Sequence, residues 1–244
     1  MSAVKNHIKT ILNINQNESN RDKWLELTLA DIPSGLRILD AGAGELRNKH
    51  LCTHLDYVSQ DIGQYEGQGN AKGLQTGMWD ARQVDILCDI TRIPEPDASF
   101  DVILCSEVFE HLPDPLKALD EFERLLKPGG TLIITAPFAS LVHFAPYHFS
   151  TGFSRYWYET HLPARNFEIK ELTANGDWFS IARQEMTRLP SMARRYKDWC
   201  WPLAYVITAV ASTYFFLRGK SSPSTDVGCF GWHCISKKRG KSDA

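Results

Sequence analysis

Between residues 143 and 158 the chain reads His143-Phe144-Ala145-Pro146-Tyr147-His148-Phe149, then Phe153-Ser154-Arg155-Tyr156-Trp157-Tyr158. Two imidazoles, three phenols and a guanidinium in so short a stretch exceed what a core needs. His148 or His143 has the chemistry of a general base, with Tyr147 between them. Arg155, with Tyr156 and Tyr158, has that of a group fixing an anionic acceptor. The competing reading is an aromatic lid packed on a sheet. Glu107, Glu110 and His111 form a second constellation. They invite a metal reading, but near neighbours in sequence do not converge on one ion as i, i+4 pairs on a helix do. No metal is therefore expected, and His111 stands as a further catalytic candidate.

A third constellation is Arg37-Ile38-Leu39-Asp40-Ala41-Gly42-Ala43-Gly44-Glu45, a short apolar run entering a glycine turn. Gly42 and Gly44 let the chain turn tightly and let a ligand approach without a Cβ in the way. Asp61 closes the next apolar run. The pair predicts a nucleoside-type ligand across the carboxyl edge of a parallel sheet. A dinucleotide fits less well, because Arg47 stands at the third small position of that fingerprint and would obstruct helix packing. An acidic residue before the glycines suits a cationic amine better than a pyrophosphate.

These residues need a scaffold. With 244 residues, 43% of them hydrophobic, the chain can bury one large core or two small ones. A net charge of −2 gives no electrostatic reason for a nucleic-acid partner. Residues 1–20 are polar and lack the apolar core of a signal peptide. The six cysteines form no CxxC pair, and reduced, buried thiols are expected.

Met1 to Ser19 reads as an arm or a loosely docked helix. Asn20 can cap a helix from Arg21 to about Ala30, stopped by Pro33-Ser34-Gly35. Strands are predicted at Arg37 to Asp40, Tyr57 to Asp61, Val84 to Cys88, Phe100 to Ser106 and Thr131 to Thr135, with late strands at Phe167 to Leu172 and Cys229 to Ser236. A short helix suits Leu46 to Leu55, and Pro115 starts another through Leu126. A further helix falls near Trp178 to Leu189. Gly63 to Ala81 is a long loop holding Gly63, Gly67, Gly69, Gly73 and Gly77, a length that marks function or disorder. Continuous apolar strands alternating with helices give an α/β parallel sheet covered on both faces.

Taken together, Ile38 to Gly44, Asp61, Ser99-Phe100-Asp101-Val102-Ile103 through Glu110-His111-Leu112, and Arg124-Leu125-Leu126-Lys127-Pro128-Gly129-Gly130 resemble the class I S-adenosylmethionine-dependent methyltransferases. The resemblance is to the broad group that includes the ubiquinone and menaquinone biosynthesis enzymes. It covers roughly Leu36 to Pro137. It implies a Rossmann-like, doubly wound seven-stranded sheet of order 3-2-1-4-5-7-6, the last strand antiparallel, and S-adenosyl-L-methionine as cofactor. By the same resemblance Asp40, Gly42 and Gly44 face the methionine end, Asp61 the ribose hydroxyls, Asp89 and Ile90 the adenine, and Ser106 the sulfonium region. The reaction it implies is an in-line displacement at the methyl carbon, in which the protein aligns the reactants and excludes water.

The long glycine loop departs from small members of that group, and so does the long segment before the last strand. The implied organisation is an arm and helix over 1–35, a methyltransferase core over 36–175 and 226–238, and a helical insertion over 176–225. Within the insertion, Trp199 to Leu217 carries no formal charge, and Arg194, Arg195, Lys197, Arg218 and Lys220 flank it. A single bilayer crossing would leave the last strand on the wrong side of the membrane. A buried helix, a cap over the acceptor pocket, or an interfacial helix remains. The expected acceptor is a small molecule or a lipid- or nucleotide-linked sugar, and the expected location is cytoplasmic, peripheral to the inner face of the membrane. A cofactor-binding protein without catalysis and a nicotinamide-dependent oxidoreductase are the alternatives.

Overall fold

The computed structural model describes residues 15–218 and 224–240. Much of the expectation for Met1 to Ser19, and Lys220, falls outside them. Seven strands form one sheet: β1 (Arg37–Ala41), β2 (Asp56–Asp61), β3 (Ile86–Leu87), β4 (Phe100–Ser106), β5 (Leu126–Pro137), β6 (Phe167–Asn175) and β7 (Gly231–Lys238). Their order is β3-β2-β1-β4-β5-β7-β6. β1 pairs in parallel with β2 and β4, and β4 with β5. β7 returns antiparallel to β5. The sheet is therefore the Rossmann-like one the sequence implies.

β1 and β4 are apolar on both faces because helices cover both. Ile38, Leu39, Val102, Ile103 and Leu104 are all buried. On one face Ile38, Val102 and Leu104 pack with Leu25 and Leu29 of α1 (Gln16–Ala30). Leu27, two residues along from either, points to solvent. α2 (Pro115–Leu125) begins with a proline after Asp114, whose carboxylate accepts from the Lys117 amide. Its Phe122 stacks on Phe109 with ring centroids 6.3 Å apart, both rings fully buried.

Several local expectations are corrected. α1 starts at Gln16, five residues earlier than an Asn20 cap allows, and the Asn20 amide donates to the Asn175 side chain instead. Leu46 to Leu55 holds only a 3-10 turn at Lys49–Cys52. Leu46 takes a left-handed φ of 59°, which helical backbone does not tolerate. β3 has two residues, since the Asp85 carboxylate takes the Ser59 amide before the ladder can extend. β5 begins at Leu126 rather than Thr131, with a register shift opposite Phe100 and Val102. β6 runs on to Asn175.

The chain divides into two compact units. One runs up to Asp22 and adds Ala174–Phe230; the other is Lys23–Thr173 with the chain from Gly231. In the first, α4 (Trp178–Arg195) packs along α5 (Trp201–Arg218). α4 was expected to end near Leu189 but continues through Pro190. A proline donates nothing to the carbonyl four residues back, here Met186. The Thr208 hydroxyl of α5 donates to that carbonyl at 2.8 Å. The break in the helix ladder is repaired by its neighbour.

Replacing Thr208 by Val should orphan the Met186 carbonyl and cost about 1–2 kcal/mol. Thr213→Val is the control, because its hydroxyl bonds the Ala209 carbonyl at an exposed position. Thermal unfolding of the two variants side by side checks this. Equal midpoints would show that the repair carries no stability.

Candidate active site

The parallel register brings the carboxyl ends of β1, β2 and β4 to one edge. The glycine turn leaves β1 there and is held by backbone bonds. The Gly42 amide donates to the Gln60 carbonyl at 2.8 Å, and its N–H also faces the Gln60 side-chain oxygen at 3.2 Å. The Gly44 amide donates to Asp61 Oδ2 at 3.0 Å, and the Gly63 amide to Asp61 Oδ1 at 2.8 Å. Each carboxylate oxygen keeps a further lone pair for a ligand hydroxyl. The Gln60 side chain spans from the turn to the Cys88 carbonyl at 2.7 Å. Sequence reading passed over Gln60, though its place before Asp61 at a strand end was the available signal.

Gly44 has φ +53°, and a Cβ there would stand 2.5 Å from the Trp79 ring. The long loop thus folds back over the turn. Tyr65 from the same loop stacks on Phe144 with centroids 4.4 Å apart, and Trp79 meets Phe144 edge-on at 5.1 Å. Gly69 lies so close to the Ala145 carbonyl that any side chain would collide with it. Gly69 and Gly73 of this loop therefore serve contact with residues 142–145, which the sequence did not reveal. Tyr65 and Trp79 are also absent from the predicted site residues.

Other predicted cofactor residues sit in different surroundings. Asp40 is 1% exposed and accepts from the Tyr57 hydroxyl at 2.8 Å. Burial, above all, pushes its carboxyl up to about 6. The acid that precedes the glycines is thus lodged beneath the turn. Asp89 is exposed, and its Oδ1 accepts from both the amide and the hydroxyl of Thr91 at 2.8 Å, an Asx turn. Ile90 is buried. Ser106 shares a 2.8 Å hydrogen bond with Thr135, whose hydroxyl donates to Glu107 at 3.0 Å. Asp61 thus presents its carboxylate at the carboxyl edge of the sheet, beside a turn walled by Trp79.

Beyond β4 the chain gathers its imidazoles. One nitrogen from each of His111, His143 and His148 lies within 4.8 Å of the others. His111 stacks on Phe144 at 5.0 Å, and its Nδ1 lies 2.6 Å from the Tyr147 carbonyl. His143 Nδ1 lies 2.8 Å from the Leu141 carbonyl. Burial first, then His143, lowers the His111 pKa to about 4, so the ring is neutral at pH 7. Phe144 holds a left-handed φ of 54°, a strained conformation for a bulky residue that the surrounding rings must fix. The expectation that Glu107, Glu110 and His111 do not meet on an ion left out partners from the distant loop.

α3 (Arg155–His161) separates Arg155, Tyr156 and Tyr158, which had been read as one acceptor-fixing group. Arg155 pairs with Glu159 at 2.7 Å one turn along, Tyr156 is 71% exposed, and Tyr158 is fully buried with its phenol pKa raised by desolvation. Helical rotation of about 100° per residue turns Tyr156 away from Arg155 and Tyr158, which stand three residues apart. A groove of about 650 Å³ lies at the opposite edge of the sheet, lined by Trp24, Asp101, Gly129 and Lys237. Ligands of open α/β sheets bind at the carboxyl edge, so this groove is no part of the site.

A doubly wound sheet of this order, with a glycine turn and an acid at the end of β2, is a Rossmann-like fold. Comparison with known proteins agrees. Residues 39–134 match a family model described as a methyltransferase domain. The ubiquinone biosynthesis O-methyltransferase of Xylella fastidiosa strain M23 is 33% identical over 109 residues, 42% of each chain. The 27-O-demethylrifamycin SV methyltransferase of Amycolatopsis mediterranei is 32% identical over 105 residues, 41% of this chain and 38% of its own. The chain thus spans under half the length of these relatives. A sarcosine dimethylglycine methyltransferase structure from Galdieria sulphuraria superposes with a TM-score of 0.53 at 16% identity, covering 91% of this chain and 85% of the other. The [4+2]-cyclase SpnF superposes at 0.54 and 18% identity, over 88% and 81%. Likeness at that level shows the fold, and the cyclase marks how far activity varies on it. Over residues 39–134 the chain is thus similar to methyltransferase domains, on a Rossmann-like sheet.

The Asp40 carboxyl gives a pH test. Its folded pKa, about 6, stands above the ordinary 3.8, so the unfolded chain ionises first as pH rises. Stability should fall between about pH 4 and 6 and stay lower above that, by at most roughly 3 kcal/mol. Asp40→Asn keeps an acceptor for Tyr57 and should flatten the profile through that window. Urea unfolding from pH 4 to 7 measures it, and parallel profiles for both proteins would refute the assignment.

Proposed function

We propose that this chain transfers the methyl group of S-adenosyl-L-methionine to an oxygen of a small-molecule or lipid- or nucleotide-linked sugar acceptor. The glycine turn clamped by Asp61 at the carboxyl edge carries the reading. Asp61 would accept from the ribose hydroxyls, the backbone of Gly42 to Gly44 would pass the methionine arm, and Ile90 would border the adenine. The named relatives transfer to oxygen, which supports a hydroxyl acceptor. An imidazole cluster beyond β4 suits it too, since a hydroxyl must give up its proton as the carbon–oxygen bond forms. His111, His143, His148 and Tyr147 are the candidates for receiving the acceptor. Asp89 and Ser106 are proposed at the rim of the cofactor site.

Isothermal titration with S-adenosylhomocysteine tests the cofactor half. Binding should weaken by at least about tenfold in Asp61→Ala, which removes the carboxylate, and in Gly44→Val, which meets Trp79. Tight binding of NAD with no affinity for S-adenosylhomocysteine would replace the reading with an oxidoreductase. Methyl transfer from labelled cofactor to hydroxyl-bearing extracts tests the other half, with loss expected in His148→Ala.

We also infer that α5 rests on an anionic membrane surface. Leu203, Val206, Ile207, Val210, Tyr214 and Leu217 follow helical spacing along it and are all exposed. Arg194 and Lys197 precede it and Arg218 ends it, which suits lipid phosphates. Among the described residues, no helix is long and apolar enough to cross a membrane. The full chain should float with phosphatidylserine vesicles and less with neutral ones. Val206→Asp combined with Val210→Asp should abolish flotation, and unchanged flotation would end the idea.

A further inference from the structure

The imidazoles of His111, His143 and His148 come from two distant parts of the chain, and general-base chemistry needs only one of them. Their hydrogen bonds define what each presents. A carbonyl oxygen only accepts, so the nitrogen facing it carries the proton in a neutral ring. The Tyr147 carbonyl fixes His111 Nδ1 as the protonated atom, and the Leu141 carbonyl does the same for His143 Nδ1. The two Nε2 lone pairs are thereby turned toward the same place. His111 Nε2 stands 3.8 Å, and His143 Nε2 3.9 Å, from Oε1 of Glu110, whose side chain is 1% exposed. Both ring nitrogens of His148 are buried without a hydrogen-bond partner.

Backbone carbonyls that lock imidazole tautomers, with a carboxylate close by, are the usual surroundings of metal-bound histidine. We propose that His111, His143 and His148 bind a divalent transition cation of the zinc class, beside the Glu110 carboxylate. The ligand type favours that class over magnesium or calcium, which take oxygen donors. Tetrahedral nitrogen ligands about 2.0–2.1 Å from zinc stand roughly 3.4 Å apart. From a spread of at most 4.8 Å the rings need to close by little more than an ångström. His143 and His148 sit on irregular backbone between β5 and α3, and stacking on Phe144 steadies His111. Three protein ligands leave one position open, as in catalytic rather than structural sites.

An open position would take the acceptor's oxygen and make its hydroxyl easier to deprotonate. That role rests on the methyl transfer proposed above, whereas cation binding does not. The test is therefore a binding measurement without cofactor or acceptor. Chelator-treated full-length protein is titrated with Zn2+ by calorimetry and with Co2+ by visible absorption. One equivalent should bind, with a Co2+ spectrum free of thiolate charge transfer, which excludes the cysteines as ligands. His143→Gln with His148→Gln should weaken binding by at least about tenfold and abolish any Zn2+-induced rise in unfolding temperature. Retained affinity for S-adenosylhomocysteine would show the variant is folded. Should it not fold, His148→Asn alone carries the same comparison. Absence of binding by the unmodified protein, equal binding by the variants, or a thiolate spectrum overturns the proposal. Failure to bind S-adenosylhomocysteine would instead strike only the proposed function.

Discussion

Everything at this site depends on β1 lying in parallel register between β2 and β4. That pairing sets Ala41 against Gln60, so the turn leaving β1 meets the residue that ends β2. A shift of one residue would exchange Ile38 and Leu39 between the two sides of the sheet and move the turn off Gln60. Both side chains are fully buried, so each is held by the shape of the core it fills. The amide-to-carboxylate bond from Gly44 to Asp61 is a consequence of that hydrophobic choice. Core packing and ligand geometry are the same constraint expressed at two ends of one strand.

The far side of the site is organised differently. No regular element carries His143 or His148; they stand on irregular chain between β5 and α3. What steadies them is a set of ring contacts running from Trp79 and Tyr65 through Phe144 to His111. Ring stacking of this kind contributes about 0.5–1.5 kcal/mol per pair beyond burial. It offsets a left-handed Phe144 and a loop rich in glycine, both of which cost conformational free energy. The cofactor half is thus built on a rigid sheet, and the acceptor half on a more adaptable aromatic seam.

Legibility from sequence followed the same division. Most strand positions and the glycine turn could be read because apolar periodicity and glycine placement are local signals, whereas the sheet order was implied by the resemblance to a known family. The limits of β3 and of the turn after Gly44 could not, because a side chain, Asp85, and a left-handed Leu46 decided them. Arg155, Tyr156 and Tyr158 were grouped by proximity in the sequence, and a helix then pointed them apart. The imidazole cluster failed for the opposite reason. His111 lies more than thirty residues before His143 and His148, and meets them only in the folded state. Nothing in the spacing of Glu110 and His111 pointed to a loop that begins after β5.

The collision any Gly69 side chain would make with the Ala145 carbonyl bears on how this protein can diversify. Two backbones in direct contact cannot be varied independently, as two surfaces lined with side chains can. The glycine-rich loop and the histidine-bearing segment are therefore tied together by their backbones. Exchanging either alone for a different sequence would leave a mismatched seam. Exchanging both together would keep the contact intact on an unchanged sheet.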